Sequence, residues 1–180
     1  IGAKEARAGY KRDAKREFQD KEIVLSVDLQ KVIMLPILPG LKSAIFCRRL
    51  VFFNESFVPV GACKGKGLGV IWHEAIAGRS AKNIASTFIN VMEYERFRDK
   101  EIFTFWADNC NAQNKNWWLF SALVNYVNSK KAKNPVKMIT VNFFVPGHGF
   151  MSADSFHHQV EQGIRKKINV QDFYDMKEII

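Results

Sequence analysis

Acidic residues stand in three places where divalent-metal chemistry on a phosphodiester would use them: Asp28 in IVLSVDLQ, Asp108 closing IFTFWAD, and Asp154 or Glu161 in SADSFHHQVEQGIRKK. A carboxylate inside or at the end of an apolar strand is costly to bury unless a partner takes up its charge. Two strand-borne aspartates therefore ask for a shared countercharge. Cutting or joining a phosphodiester needs stabilisation of both the attacking and the leaving oxygen, which two divalent cations about 4 Å apart supply. Magnesium, or manganese in its place, takes oxygen ligands and keeps several waters, so two or three carboxylates suffice. The roles expected are Asp28 bridging two ions, Asp108 holding one of them from a neighbouring strand, and Glu161 or Asp154 completing the set.

Asp154, His157 and Glu161 are spaced to share one helix face. Asp154 lies near the start of that helix, where an N-cap role competes with metal binding. Glu161 lies in the helix interior and can be aimed at the strand ends, so it is expected to matter more for activity. His157 suits a ligand or proton shuttle, or no special role, and His158 points elsewhere. Directly after Asp108 come Asn109, Asn111, Gln113, Asn114, Lys115 and Asn116. Amides at this density favour a capped strand-to-helix loop, and such a loop can also hold phosphates or water beside Asp108. Pro146, Gly147, His148 and Gly149 form a second irregular stretch, with His148 a phosphate contact or a turn histidine. Glu74 reads as a structural or surface acid. Trp117, Trp118 and Phe120 are at helical spacing and read as core rather than as a base-stacking platform.

The chain has 180 residues, a formal charge of +9 and a pI near 9.5, which favours a polyanionic partner. Lys115, Lys130, Lys131, Arg165 and Lys166 are expected to form a phosphate-binding rim. Cys47, Cys63 and Cys110 are odd in number and far apart, so a reduced, intracellular setting is expected. No apolar run reaches membrane-spanning length, and no signal-peptide core is present, although a chain opening on Ile1 reads as part of a longer protein. There is no P-loop, HExxH or GxSxG motif, and no zinc-ligand spacing.

Residues 1–20 read as a basic N-terminal helix and 21–180 as the domain proper. Strands are expected at 22–29, 44–53, 68–77, 101–108 and 138–147, and helices at 81–97, 114–128 and 155–167. Ser80 is the expected cap of the first of these helices. Three strands, then helix, strand, helix, strand, helix, give a mixed five-stranded α/β sheet. This βββαβαβα order is that of the ribonuclease H-like fold, in which the first and fourth strands lie side by side with an aspartate on each.

The strings SVDLQKVIMLPILP, FCRRLVFFN, WADNCNAQNKNWW and FFVPGHGFMSADSFHHQVE resemble a domain of transposon-derived proteins, related to the DDE transposases and retroviral integrases. The resemblance runs from about residue 3 to 175. It implies a nuclear, magnesium-dependent nuclease or strand-transfer domain acting on DNA, with RNA left open, and working as a homo-oligomer. A domesticated remnant that binds nucleic acid or protein without catalysis is the rival expectation.

Overall fold

The computed structural model describes residues 2–41, 46–61, 65–129, 135–145 and 151–180. Among them are six strands and five helices: α1 (Ala3–Lys15), β1 (Glu22–Leu29), β2 (Ile33–Leu35), β3 (Leu50–Pro59), β4 (Leu68–His73), α2 (Ala81–Glu93), β5 (Ile102–Ala107), α3 (Trp117–Asn128), β6 (Met138–Phe143), α4 (Ser152–Lys167) and α5 (Phe173–Ile179). The architecture is α/β with a mixed sheet.

The run EIVLSVDL is apolar on both faces, and β1 accordingly lies in the middle of the sheet with helices above and below. It pairs parallel with β5 and antiparallel with β3, and β5 pairs parallel with β6. β1 and β2 share one edge of β3, and β4 takes the other: Phe57 faces Val27 on one side and Leu68 on the other, and Phe52 faces Ile33 and His73. Ile23, Leu25 and Val27 point to the face covered by α2 and α3, where Phe53, Phe57, Phe88, Phe103, Phe105 and Leu119 build the larger core. Val24 points the other way, toward α1 and the start of α4. Farther along that second face, Val160 of α4 and Met176 of α5 close over Leu35 and Phe52.

The alanine-, lysine- and arginine-rich stretch of α1 is a strong helix former. Ala6 and Tyr10 dock it on Trp106 and Phe144. The Tyr10 hydroxyl accepts from Ser152 N at 2.9 Å, and Trp106 Nε1 donates to Asp13 at 2.8 Å. At the far end of the helix, Gly61 has φ +63°, and a Cβ there would stand 2.2 Å from the Ala14 carbonyl. Only glycine permits that approach.

Several boundaries differ from the expected ones. The second long strand is 50–59 rather than 44–53; residues 44 and 45 lie outside the described residues, and Phe46 is exposed. The polar triplet Asn54, Glu55 and Ser56 is fully buried in that strand because each side chain has a specific neighbour. β2 adds a sixth strand in a stretch whose prolines read as a break. β4 stops at His73, whose carbonyl accepts the amides of Ile76 and Ala77 in a turn. α2 stops at Glu93, and Ser80 holds its N-cap position without a side-chain hydrogen bond. α3 starts at Trp117 rather than 114, since the residues before it are spent on the loop that caps it. α4 starts three residues early, at Ser152, and the short helix α5 is an addition to the expected set. No helix among the described residues is long and apolar enough to cross a membrane.

Candidate functional site

Strand register sets the site. Val27 of β1 pairs with Ala107 of β5 in a parallel ladder, so the next residues, Asp28 and Asp108, stand side by side at the carboxyl ends of two central strands. Loops at such ends are the usual place for a site in α/β sheets. Asp28 alternates away from Val27 and therefore faces α4, and its Cα partner on β3 is Ser56.

His157 from α4 and Ser56 from β3 close on Asp28 there. Burial pushes the Asp28 carboxyl up to about 7, and the negative charges of Asp108 and then Asp154 push in the same direction. His157, one turn after Asp154 on α4, places Nδ1 3.6 Å from Asp28 Oδ2, an ion-pair separation too long for a hydrogen bond. Its Nε2 lies 2.8 Å from Ser56 Oγ, which in turn donates to the Asp28 carbonyl at 3.2 Å. The Ser56 hydroxyl thus links the His157 ring to the Asp28 main chain. Burial lowers the His157 pKa, and Asp154, the Asp28 backbone and Glu161 oppose that shift.

The loop after Asp108 is built as its amides suggest. Its hub is the Cys110 carbonyl, which accepts the backbone amides of Gln113, Asn114 and Lys115. Asn116 caps α3 by accepting from Leu119 N at 3.0 Å, and its own amide donates to the carbonyls of Asn111 and Gln113. Asn114 is buried and donates to Asp108 Oδ1 at 2.5 Å. The side-chain carbonyl oxygens of Asn109 and Asn114 are buried without a hydrogen-bond partner among the described residues. A buried acceptor without a protein partner calls for an ordered water or an ion.

Of the two candidate third acids, Asp154 adds its charge to the upward push on Asp28, whereas Glu161 is exposed and acts on His157. Asp154 is not the N-cap of α4 but its third residue, accepting the amide of Met151 at 2.6 Å. His158 is exposed and turned to Gln162. Lys115 is exposed beside the loop; Arg165 and Lys166 are exposed on the last turn of α4, eight residues and so about 12 Å of helix beyond His157. Lys130, Lys131 and the stretch Pro146, Gly147, His148 and Gly149 lie outside the described residues. Glu74 is remote, accepting from Val51 N. Trp117 and Trp118 are not core: they are 83% and 57% exposed, and Leu119 and Leu123 make the buried stripe of α3 instead.

Sequence reasoning missed Glu55. It is 1% exposed, pairs with Leu29 across β3 and β1, and so lies on the α2 face of the sheet, opposite to Asp28. Burial pushes its carboxyl up to about 8; the Thr87 contact acts against this, and Asp28 and Asp108 add to it. Thr87 Oγ1 touches Glu55 Oε2 and also lies 2.7 Å from the Ile84 carbonyl. One hydroxyl proton cannot serve both acceptors, so a protonated Glu55 donating to Thr87, which donates to Ile84, pairs Oε2, while Oε1 is buried without a partner among the described residues. The only advance signal was an acid flanked by Asn and Ser between aromatic residues.

The site fits a hard cation by its donor set, which is carboxylate and amide oxygen. Among the described residues, no three His, Cys, Asp or Glu side chains are gathered closely enough to form a ready ligand cluster. None of the protein-family models, curated proteins or solved structures compared with this chain matches it.

Proposed function

We propose that this chain is a ribonuclease H-like, transposase- or integrase-like domain that cuts or joins DNA phosphodiesters with magnesium or manganese. The observation that carries the reading is the place of Asp28 and Asp108, each one residue past the Val27–Ala107 pair of two adjacent parallel strands, with the charge of Asp154 acting on Asp28. The strand arrangement supports it as well: β1, β5 and β6 run parallel, β3 is added antiparallel on the other side of β1, and β4 follows antiparallel to β3. Like charges held together at a desolvated site are unfavourable alone and become favourable when a cation binds.

Asp28, Asp108 and Asp154 would hold the cations, aided by the free oxygens of Asn109 and Asn114. Bound divalent ions supply charge stabilisation at the attacking and leaving oxygens of an in-line displacement. Asn114 fixes the rotamer of Asp108 from beneath the loop. His157, between Ser56 and Asp28, is positioned to accept or return a proton as a water or a DNA 3′-hydroxyl attacks. Lys115, Arg165 and Lys166 would bind flanking phosphates. A binding-only remnant is the second reading, favoured by the fact that Asp108 and Asp154 already have protein donors.

Incubation of the purified domain with labelled duplex DNA and magnesium or manganese, beside Asp28→Asn, tests the proposal. Metal-dependent cleavage or strand transfer, lost in the variant, is the expected result. Salt-sensitive DNA binding with no cleavage under either metal supports the remnant instead.

A further inference from the structure

The exposed tryptophans of α3 need a reason. An indole is among the largest apolar surfaces a residue can bury, yet Trp117 and Trp118 are 83% and 57% exposed on consecutive positions. Helix geometry makes this unavoidable once Leu119 faces the core: at about 100° per residue, Trp117 stands roughly 200° around the axis from it. Both residues open the helix directly after the loop that Asn114 ties to Asp108.

The surroundings are cationic. Lys82 at the start of α2 lies 4.2 Å from the centre of the Trp118 ring, and Lys115 is exposed two residues before Trp117. Neither α2 nor α3 has an acidic residue in its first turn. An apolar partner protein would gain nothing from those ammonium groups. A nucleic-acid strand uses both features, because bases stack on indoles while phosphates pair with lysines.

We propose that Trp117 and Trp118, with Lys82 and Lys115, form a stacking platform for unpaired bases of the strand that passes the Asp28 and Asp108 site. The inference deepens the nuclease reading and rests on it for the strand's path; it assigns a substrate with a single-stranded segment next to the scissile phosphate. Every base has a π-face, so the platform reads strandedness and not sequence.

The test is binding of short oligothymidylate to the intact chain in EDTA, followed by tryptophan fluorescence and by polarisation of the labelled strand. Trp117→Ala is expected to weaken this binding about tenfold or more, with Trp118→Ala similar. Binding of a fully paired duplex should change little. An abasic strand of the same length should bind wild type as weakly as oligothymidylate binds Trp117→Ala. Unchanged oligothymidylate affinity in both variants, or equal affinity for the abasic strand, overturns the platform. So does a result in which the double variant only converts a dimer to a monomer on sedimentation, which would make this a self-association face. Asp28→Asn separates the two ideas: it should bind oligothymidylate as wild type does while losing cleavage. If Asp28→Asn cleaves normally and Trp117→Ala still loses the single strand, the catalytic reading fails and the platform stands.

Discussion

Two acids sit on opposite faces of one sheet, and their surroundings differ in kind. Asp28 and Glu55 are both pushed up, to about 7 and about 8, and in both burial is the largest cause. Glu55 is sealed under α2 against the Thr87 hydroxyl and keeps its proton there. Asp28 retains some solvent exposure and faces Asp108, Asp154 and His157. A buried acid by itself marks only a protonated core group. A buried acid with charged neighbours and an open side is a candidate functional group, and the proposed cation would sit there.

The sharpest way to break this contrast is to remove one charge from each face. Asp28→Asn should lower metal-dependent cleavage on the order of 100-fold or more, the scale of deleting one charge-stabilising group. Glu55→Gln should leave cleavage near wild type at neutral pH, since the amide reproduces the protonated acid. Equal losses in the two variants would erase the distinction.

Stability against pH separates them further. Both folded-state values lie above the unfolded ones, so the folded chain holds these protons more tightly. The resulting stabilisation is complete below about pH 4 and is lost as pH rises through about 7 for Asp28 and about 8 for Glu55. Glu55→Gln should therefore be more stable than wild type at pH 9 by a few kcal/mol and nearly equal at pH 5. Urea denaturation at the two pH values, without metal, measures this. A difference that does not grow with pH would mean Glu55 is ionised in the folded chain.

Smaller effects test the edges of the acidic site. Asp154→Asn should weaken magnesium affinity more than Glu161→Gln, because Asp154 acts on Asp28 while Glu161 is exposed. Calorimetric titration of both variants decides the order, and a larger loss at Glu161 would reverse it. Asn114→Ala frees Asp108 and empties a buried polar position, which should cost about 1–3 kcal/mol by thermal or chemical denaturation. No loss would mean that the loop is held without that bond.

The strands that carry Asp28 and Asp108 are legible in the sequence because both are continuous apolar runs ending in an acid, and the order of elements follows from them. β3 is shifted from its expected place because periodicity reads Asn54, Glu55 and Ser56 as a break, although tertiary partners across the sheet make them interior. The tryptophans mislead through phase: 117, 118 and 120 and 119 and 123 both fit a helix, and only packing selects the second. Choosing between Asp154 and Glu161 requires the helix start, which lies three residues earlier than the apolar pattern suggests.

A divalent cation bound between Asp28 and Asp108 is what the catalytic reading stands on. Manganese added to the isotope-labelled chain reports it through paramagnetic broadening of amide resonances. The account predicts broadening centred on residues 28–29, 108–110 and 154–157, abolished in Asp28→Asn. Unaffected resonances in those segments, or the same broadening in the variant, would contradict it.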